Sequence, residues 1–286
     1  MPPVDRPSEY VDTRIGSGGF AYAHGSAFPG AARPHGMVKV GPDTTGPLGA
    51  LNFLHYSGYW YEDEAVRGFS HMHLHGTGAT DYGVVALMPA PGFSAPATSG
   101  DGYRLPWRKS SEVATPGAYA ITLESAAGPI AAELTAHSHS AFHRYRFPAG
   151  LATPTLILDL DHHLIGGEVR DADLVLDRAR GEARGRLRSL GGMSRGYGGY
   201  DVFFALRARV PWQAQQSFAA GQAPIDRAMI SGKGVGAALT FAPAAQGETT
   251  VEVQVGLSLV SLDTAAQNLA AELGAADADA YDFTAS

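Results

Sequence analysis

The sequence contains no cysteine among its 286 residues. That absence excludes disulfide bonds, a thiolate nucleophile and any zinc site built on cysteine. It does not fix the cellular compartment, because proteins without cysteine occur in both reducing and oxidising compartments.

Charge is also scarce, and basic charge is scarcer than acidic charge. Charged residues make up 17% of the chain, below the roughly 25% of an average globular protein. The net charge is −7. A nucleic-acid-binding protein needs a basic face, so we expect no nucleic-acid partner. With 45% hydrophobic residues, the chain still has ample material for a large core.

Long apolar runs are missing as well. No stretch approaches the ~20 apolar residues of a membrane-spanning helix, so we expect no membrane partner. The opening residues, MPPVDRPSEY, show neither the basic region nor the apolar core of a signal peptide. The localisation therefore stays unknown at this stage.

Several segments of the sequence alternate apolar and polar residues. In TTVEVQVGLSLVSL, residues 249–262, apolar side chains occupy every second position, which is the period of a half-buried strand. The same pattern occurs in 118–125, 153–161, 182–190 and 201–210, and 131–147 predicts one longer strand or a strand pair. Glycine and proline interrupt helical patterns before residue 260. The sequence therefore predicts an all-β protein, a large sandwich of antiparallel sheets.

The last 25 residues follow a different pattern. Helical spacing of apolar residues runs from Leu262 to Leu273, with Asp263 as a plausible N-cap and Gly274 as a C-cap. The polar residues after Gly274 are typical of a linker that is cut short, or of an ordinary disordered C-terminus.

Two polar stretches are interpreted as turns. IGSGGF, residues 15–20, lacks a following helix pattern and a Gly-Lys-Ser/Thr sequence, so a phosphate-binding loop is not favoured. The acidic trio Glu62, Asp63 and Glu64 could be catalytic in principle, but three consecutive carboxylates are more typical of a solvated turn.

The stretch GFSHMHLHGTG places His71, His73 and His75 at every second position. On a strand these side chains would share a face. They could present imidazoles to zinc or iron, with Asp81 or DLDHH (159–163) supplying a further ligand. They could instead be satisfied by backbone and hydroxyl partners beneath a sheet, or form part of a sugar-binding rim.

Aromatic residues just upstream favour the rim. LHYSGYWYEDE supplies Tyr56, Ser57, Tyr59, Trp60 and Tyr61. Sugar sites combine aromatic planes with a few polar groups that bind hydroxyls. Because serine, glycine and carboxylates interrupt this run, we expect part of it to face water.

A second group of histidines follows the same alternation. AHSHSAFHRYRF contains His137 and His139, with His143, Arg144 and Arg146 beside them. This spacing predicts a polar strand face.

Long stretches of the sequence resemble one family. YVDTRIGSGG, AFPGAARPHGMVKVGPDT and YSGYWYEDEAVRGFSHMHLHGTGATDYGVVALMPAPG are followed by ELTAHSHSAFHRYRFP, LILDLDHH and SRGYGGYDVFFALRARVPW. In this order, and from about Tyr10 to Leu273, the sequence is similar to the N-terminal domain of glycoside hydrolase family 92, the calcium-dependent α-mannosidases.

The resemblance implies a division of labour between two domains. It implies a β-sandwich like that of galactose mutarotase over residues 1–260, and over 261–286 the start of a helical linker to an (α/α)6 barrel. In the family, the barrel carries the calcium ligands and the catalytic acid and base, and the active site lies between the domains. The enzymes hydrolyse α-mannosides with inversion, which requires two carboxyl groups roughly 6.5–9.5 Å apart.

The resemblance therefore implies a supporting role for this chain. We expect no catalytic residue, metal ligand or cofactor in it, with calcium bound by the barrel. The expected partners are an α-mannoside or N-glycan-type sugar and the barrel itself. Without the barrel, the chain is expected to be inactive.

Residues matched by position give the candidate substrate contacts. They are Tyr56, Ser57 and Tyr59 of YSGY, and His71 and His73 of FSHMHLHGTG. The resemblance implies that these side chains contact the mannose or the barrel's loops.

Several positions depart from the family's pattern. His35-Gly36 replaces a common Gly-Phe, the loop that holds His24 is longer, and His75 stands where serine is usual. These changes leave linkage specificity and the roles of His24 and His75 open. An alternative function is a stand-alone carbohydrate-binding or metal-binding β-sandwich.

Overall fold

The computed structural model describes residues 7–20, 25–94 and 97–274. Within these ranges the strands, in chain order, are β1 Ala31–Ala32, β2 Lys39–Thr45, β3 Ala65–Ser70, β4 Ala86–Ala90, β5 Leu105–Thr115, β6 Ala118–Ser125, β7 Gly128–Ala136, β8 Ser140–Phe147, β9 Thr155–Asp159, β10 Glu168–Asp177, β11 Glu182–Leu190, β12 Tyr200–Ala208, β13 Ala214–Ala219, β14 Gln222–Ile225, β15 Met229–Gly232, β16 Gly236–Thr240 and β17 Thr249–Ser258. The helices there are α1 Gly100–Tyr103, α2 Leu262–Leu273 and the 3-10 turns Pro7–Tyr10, Asn52–Leu54 and Ser194–Tyr197.

The strands are antiparallel, and all except β1, which pairs with β2, fall into two sets. The seven-strand set has the order β2-β3-β4-β9-β16-β13-β14. The nine-strand set has the order β5-β6-β7-β8-β17-β12-β11-β10-β15. Strand β5 also pairs with β3, so hydrogen bonds connect the two sets.

One hydrophobic core lies between the sets. Phe69 of β3 and Tyr145 of β8 bring their rings within 6.0 Å, although they belong to different sets. Along β17, Val251, Val253 and Val255 are buried as the alternating pattern requires. The predicted fold class is confirmed: the chain is all-β, with antiparallel strands and a C-terminal helix.

The element boundaries refine the sequence predictions. The segment 131–147 is a pair of strands, β7 and β8, and β17 ends at Ser258 before the exposed Leu259 and Val260. Helix α2 has Ser261 as its N-cap, because its hydroxyl accepts the Thr264 N–H at 3.1 Å. The prediction of Asp263 as the cap is therefore wrong.

Helix α2 packs closely on the nine-strand set. Its apolar face buries Leu269 and Leu273. A Cβ atom at Gly256 of β17 would lie 2.6 Å from the Cβ of Leu269, so only glycine permits this approach. The Glu272 carboxylate accepts hydrogen bonds from the backbone and ring of His139, which fixes the helix to the β7–β8 turn.

The end of α2 is also held from the sheet. Arg207 of β12 donates from Nη2 to the carbonyl oxygens of Leu273 and Gly274, at 3.0 and 2.6 Å. Gly274 has a φ of +71°, as a glycine that ends a helix can adopt. The predicted linker beyond it, 275–286, lies outside the described residues, and the boundary at residue 260 stays a prediction.

The helices are short relative to a bilayer. In the described part of the chain, no helix combines the length and the apolarity needed to cross a membrane.

Candidate functional site

Loops from five parts of the chain meet at one edge of the sandwich. We call this edge the loop rim; it consists of residues 12–20, 46–62, 74–83, 161–167 and 191–199. The Tyr61 N–H donates to the Ser17 carbonyl at 3.0 Å, and the rings of Phe20 and Phe53 are 5.6 Å apart. These contacts join the first two segments.

The other segments of the loop rim are joined in the same way. Gly192 donates its N–H to the Thr80 carbonyl at 2.5 Å. Arg195 donates from Nη2 to the Gly166 carbonyl at 3.3 Å. A Cβ atom at Gly166 would lie 3.3 Å from Asn52 Nδ2, so the 161–167 and 46–62 segments are also in contact. The five segments therefore form one connected surface.

Apolar side chains project from the loop rim into solvent. The exposed ones are Ile15, Phe20, Leu48, Tyr61, Met193 and Tyr197, with Tyr197 92% exposed. Clustered exposed apolar groups on a folded domain mark a surface for a ligand or another protein. The loop rim is therefore the candidate functional site.

Beneath the loop rim, Asp43 of β2 binds two histidines from distant segments. Its carboxylate oxygens lie 2.9 Å from His73 Nε2 and 2.7 Å from His162 Nε2. Burial would raise the pKa of Asp43, but the two histidines hold that pKa well below its ordinary value. Asp43 thus ties the 74–83 and 161–167 segments to β2.

His73 makes polar contacts through both ring nitrogens. Its Nε2 lies 2.9 Å from Asp43 Oδ1 and 2.9 Å from Ser70 Oγ, and its Nδ1 lies 2.7 Å from the Lys39 carbonyl oxygen. His73 and Asp43 are therefore a buried, hydrogen-bonded pair.

A second buried aspartate holds the 46–62 segment. The Oδ2 atom of Asp63 lies 2.7 Å from His55 Nε2 and accepts the Thr44 hydroxyl at 2.7 Å. His55 Nδ1 faces the Leu51 carbonyl oxygen at 3.0 Å, so this ring also has acceptors at both nitrogens. The prediction of a solvated acidic turn therefore holds for Glu62 and Glu64, which are exposed, and is wrong for Asp63, which is fully buried.

A third aspartate joins the 74–83 and 191–199 segments. Asp81 accepts the Ser194 N–H at 2.8 Å, the Ser194 hydroxyl at 3.0 Å and the Met193 N–H at 3.2 Å. A Cβ atom at Gly191 would lie 2.1 Å from Asp81 Oδ1, so glycine is required at that position. The exposed Met193 is thus carried by a turn with a fixed anchor.

His71 belongs to a different, uncharged network in the core. Its Nδ1 donates to the Val85 carbonyl, so its Nε2 accepts from His143 Nε2 at 2.9 Å. His143 Nδ1 then accepts the Tyr145 hydroxyl at 2.8 Å. Burial lowers the pKa of His71 to about 4 and the pKa of His143 well below its ordinary value, so both rings are neutral.

The structure shows the surroundings of the candidate substrate contacts, which stay predictions. Ser57, Tyr59, His71 and His73 are at most 2% exposed, and their polar atoms bond to other groups of the protein. These four residues lie beneath the loop rim, whereas Tyr56 is half-buried. All five stay predicted contacts with the sugar or with a second domain.

The alternating histidines do not lie on a strand. Strand β3 ends at Ser70, and both His71 and His73 point inward while His75 is exposed. The ring nitrogens of His71 and His73 are occupied by protein partners, which leaves none for a metal ion. Across residues 7–20, 25–94 and 97–274, no group of three or more histidines and carboxylates is arranged to hold a metal.

The second histidine group is also not a single polar face. His137 and His139 lie at the β7–β8 turn, whereas His143 is buried beside His71. Arg144 and Arg146 do lie on the polar side, where each pairs with Glu133. His24 lies outside the described residues.

Sequence reasoning missed three residues that organise the site. Asp43, Glu112 and His55 were not singled out, yet Glu112 accepts both the Tyr59 hydroxyl at 2.9 Å and the Tyr119 hydroxyl at 2.7 Å. Burial raises the pKa of Glu112. For Asp43, a carboxylate inside the strand KVGPDTT is a signal that could have been used, because a charge in a buried strand needs a partner.

Comparison with known proteins agrees with this fold. A family model described as the glycosyl hydrolase family 92 N-terminal domain matches residues 10–258. A protein of Arthroderma benhamiae described as an uncharacterized secreted glycosidase is 30% identical over 285 residues, covering 92% of this chain and 34% of its own length.

Solved structures give the same result. The family GH92 glycosyl hydrolase ccman5 is 30% identical, with a TM-score of 0.79 over 96% of this chain and 35% of its own. The GH92 α-mannosidase BT3965 from Bacteroides thetaiotaomicron is 25% identical, with a TM-score of 0.78 over 92% of this chain and 35% of its own. The chain thus spans about a third of the length of these relatives.

Proposed function

The chain belongs to glycosyl hydrolase family 92 through its N-terminal domain, and we propose that it forms one wall of the sugar-binding cleft of an inverting exo-α-mannosidase. The observation that supports this most is the loop rim, whose exposed apolar side chains are carried on loops anchored by buried aspartates. One relative, BT3965, has also been solved in complex with mannoimidazole.

The rest of the site is proposed to come from a second domain. The relatives are about three times longer than the matched region, since it covers 34–35% of their length. We infer that an (α/α)6 barrel covers the loop rim and supplies the catalytic acid, the base and the calcium ligands. Calcium bound there would engage sugar hydroxyls through its oxygen-preferring shell.

A comparison of two polypeptides tests the proposal. Hydrolysis of an aryl α-mannoside, with calcium present, is measured for the 286-residue chain and for a chain extended to the full length of its family 92 relatives. Turnover is expected only for the extended chain, with the β-anomer of mannose formed first in the NMR spectrum. Turnover by the 286-residue chain alone would contradict the proposal.

The same assay separates the alternative function. A stand-alone carbohydrate-binding domain would bind mannosides without any hydrolysis, also in the extended form. The metal-binding alternative has less support, because protein groups already occupy the nitrogens of His71 and His73.

A further inference from the structure

A cavity of about 360 Å³ opens beside the loop rim, in the part of the chain that holds His75. Apolar side chains form much of its wall, including those of Ile15, Ala27 and Phe28. Pro116 of the β5–β6 turn closes another side. None of the residues singled out as candidate substrate contacts lines this cavity.

The structure fixes which nitrogen of His75 carries the hydrogen. The backbone N–H of Phe28 donates to His75 Nδ1 at 3.3 Å, so Nδ1 is an acceptor. A neutral imidazole then carries its hydrogen on Nε2. The free donor of His75 is therefore the Nε2–H group, and His75 lines the cavity.

The surroundings keep this ring neutral. Partial burial of the ring, with further contributions from Lys39 and His73, lowers the pKa of His75 to about 4. At pH 7 His75 is thus a neutral donor with one tautomer.

The buried His73–Asp43 pair also sets the orientation of His75. The Phe28 ring stacks on His73 at 3.7 Å between centroids and meets the His75 ring edge-on at 5.9 Å. Asp43 fixes His73, His73 fixes Phe28, and the Phe28 backbone fixes His75. A donor held by such a chain of contacts is preorganised for binding.

Acceptors complete the cavity. Asp12 lines it with a carboxylate that pairs with Arg14 and keeps lone pairs available. Thr13 donates its hydroxyl hydrogen to the Pro29 carbonyl at 3.0 Å, which leaves its oxygen to accept. One fixed donor, acceptors and an apolar wall suit an uncharged ring that has several hydroxyls and one apolar face.

We propose that this cavity is a subsite for a hexopyranose unit, and that His75 determines specificity by donating from Nε2 to a sugar hydroxyl. The proposal rests on the proposed function for the identity of the sugar as mannose. The geometry itself requires only a hydroxylated ring of that size.

Nitrogen NMR of the 286-residue chain tests this directly. With ¹⁵N-labelled histidine at pH 7, long-range ¹H–¹⁵N spectra are recorded while methyl α-mannoside is added. His75 is expected as the Nε2–H tautomer, with a shift that saturates as the sugar binds. The signal of the exposed His35 should not move, and glycerol at equal concentration should leave His75 unchanged.

Two substitutions extend the test. His75→Ala removes the donor and should weaken methyl α-mannoside binding about 3- to 10-fold, the effect of one hydrogen bond. His75→Gln, whose amide can donate, should recover part of the affinity. His35→Asn is the matched control, because asparagine tolerates the φ of +64° at that position.

Several results would overturn the proposal. They are an Nδ1–H tautomer or a charged ring at pH 7, no saturable shift of His75, or unchanged affinity in His75→Ala. The first two come from the unsubstituted chain, so they decide even if a variant does not fold. A saturable shift without mannoside hydrolysis by the extended chain would refute only the proposed function, and hydrolysis without the shift would refute only the subsite.

Discussion

Two ionic clusters of this domain have similar chemistry and different surroundings. Beneath the loop rim, Asp43 pairs with His73 and His162, and these side chains are at most 2% exposed. On the nine-strand set, Arg186 and Asp201 form a pair whose side chains are about a third exposed. The buried cluster joins segments far apart in the sequence, whereas the exposed one joins neighbouring strands that already pair.

The two clusters differ in how strongly they fix the arrangement of the chain around them. Buried charges are costly unless every partner is in place, so the Asp43 cluster admits one arrangement of the loops around it. Exposed pairs are screened by water and contribute little. We conclude that the position of the loop rim depends on the interior charges rather than on the surface network.

The largest expected effect comes from breaking the buried cluster. Asp43→Asn removes the buried carboxylate and leaves His73 and His162 without their charged partner. The free energy of unfolding should fall by about 3–5 kcal/mol, measured by chemical denaturation at pH 7.

Asp201→Asn is the matched control for that experiment. It breaks the exposed pairs with Arg186 and Arg188, and should lower the free energy of unfolding by less than about 1 kcal/mol. Equal losses in the two variants would refute the contrast between the clusters.

The next largest loss of stability is expected on acidification, through the uncharged network of His71, His143 and Tyr145. The pKa of His71 is lowered from 6.5 to about 4, so the unfolded chain binds more protons in this range. The stabilisation is fully present above pH 6.5 and is lost as the pH falls towards 4, by about 3 kcal/mol from His71 alone. Unfolding free energies at several pH values measure this slope, and a flat profile between pH 6.5 and 4 would exclude it.

A smaller effect is expected at the end of the same network. Tyr145→Phe removes the hydroxyl that donates to His143 Nδ1 and leaves a buried acceptor without its partner. The free energy of unfolding should fall by about 1–2 kcal/mol. Tyr197→Phe, which alters a hydroxyl on an exposed side chain, should change it by less than about 0.5 kcal/mol.

The smallest effect on stability is expected at the loop rim surface. Tyr197→Ser should change the free energy of unfolding by less than about 0.5 kcal/mol, because its side chain is 92% exposed. In the extended chain the same substitution should lower the turnover of an aryl α-mannoside. Unchanged turnover there would argue against burial of Tyr197 by a second domain.

The fold could be predicted because its signal is local. The alternation of Val251, Val253 and Val255 gives the strand period without knowledge of any other part of the chain. The N-cap of α2 was misplaced by two residues because both Ser261 and Asp263 can cap, and the choice depends on where the chain leaves β17.

The site was harder to predict because its partners are distant in sequence. Asp43 meets His162 across 119 positions, and His71 meets His143 across 72. Tyr59 was expected near a water-facing surface, but its hydroxyl reaches Glu112 in the interior. Only the assembled sheets bring such pairs together. Residue type and spacing alone therefore did not distinguish side chains that lie beneath the loop rim from side chains at its surface.

The position of β17 has a consequence for how the domain folds. This strand, residues 249–258, lies between β8 and β12, so it joins β5–β8 to β10–β12. The two halves of the nine-strand set cannot close on each other until a strand from late in the chain has been inserted. Such long-range pairing gives a high contact order, and we expect slow refolding from an intermediate in which both halves have open strand edges.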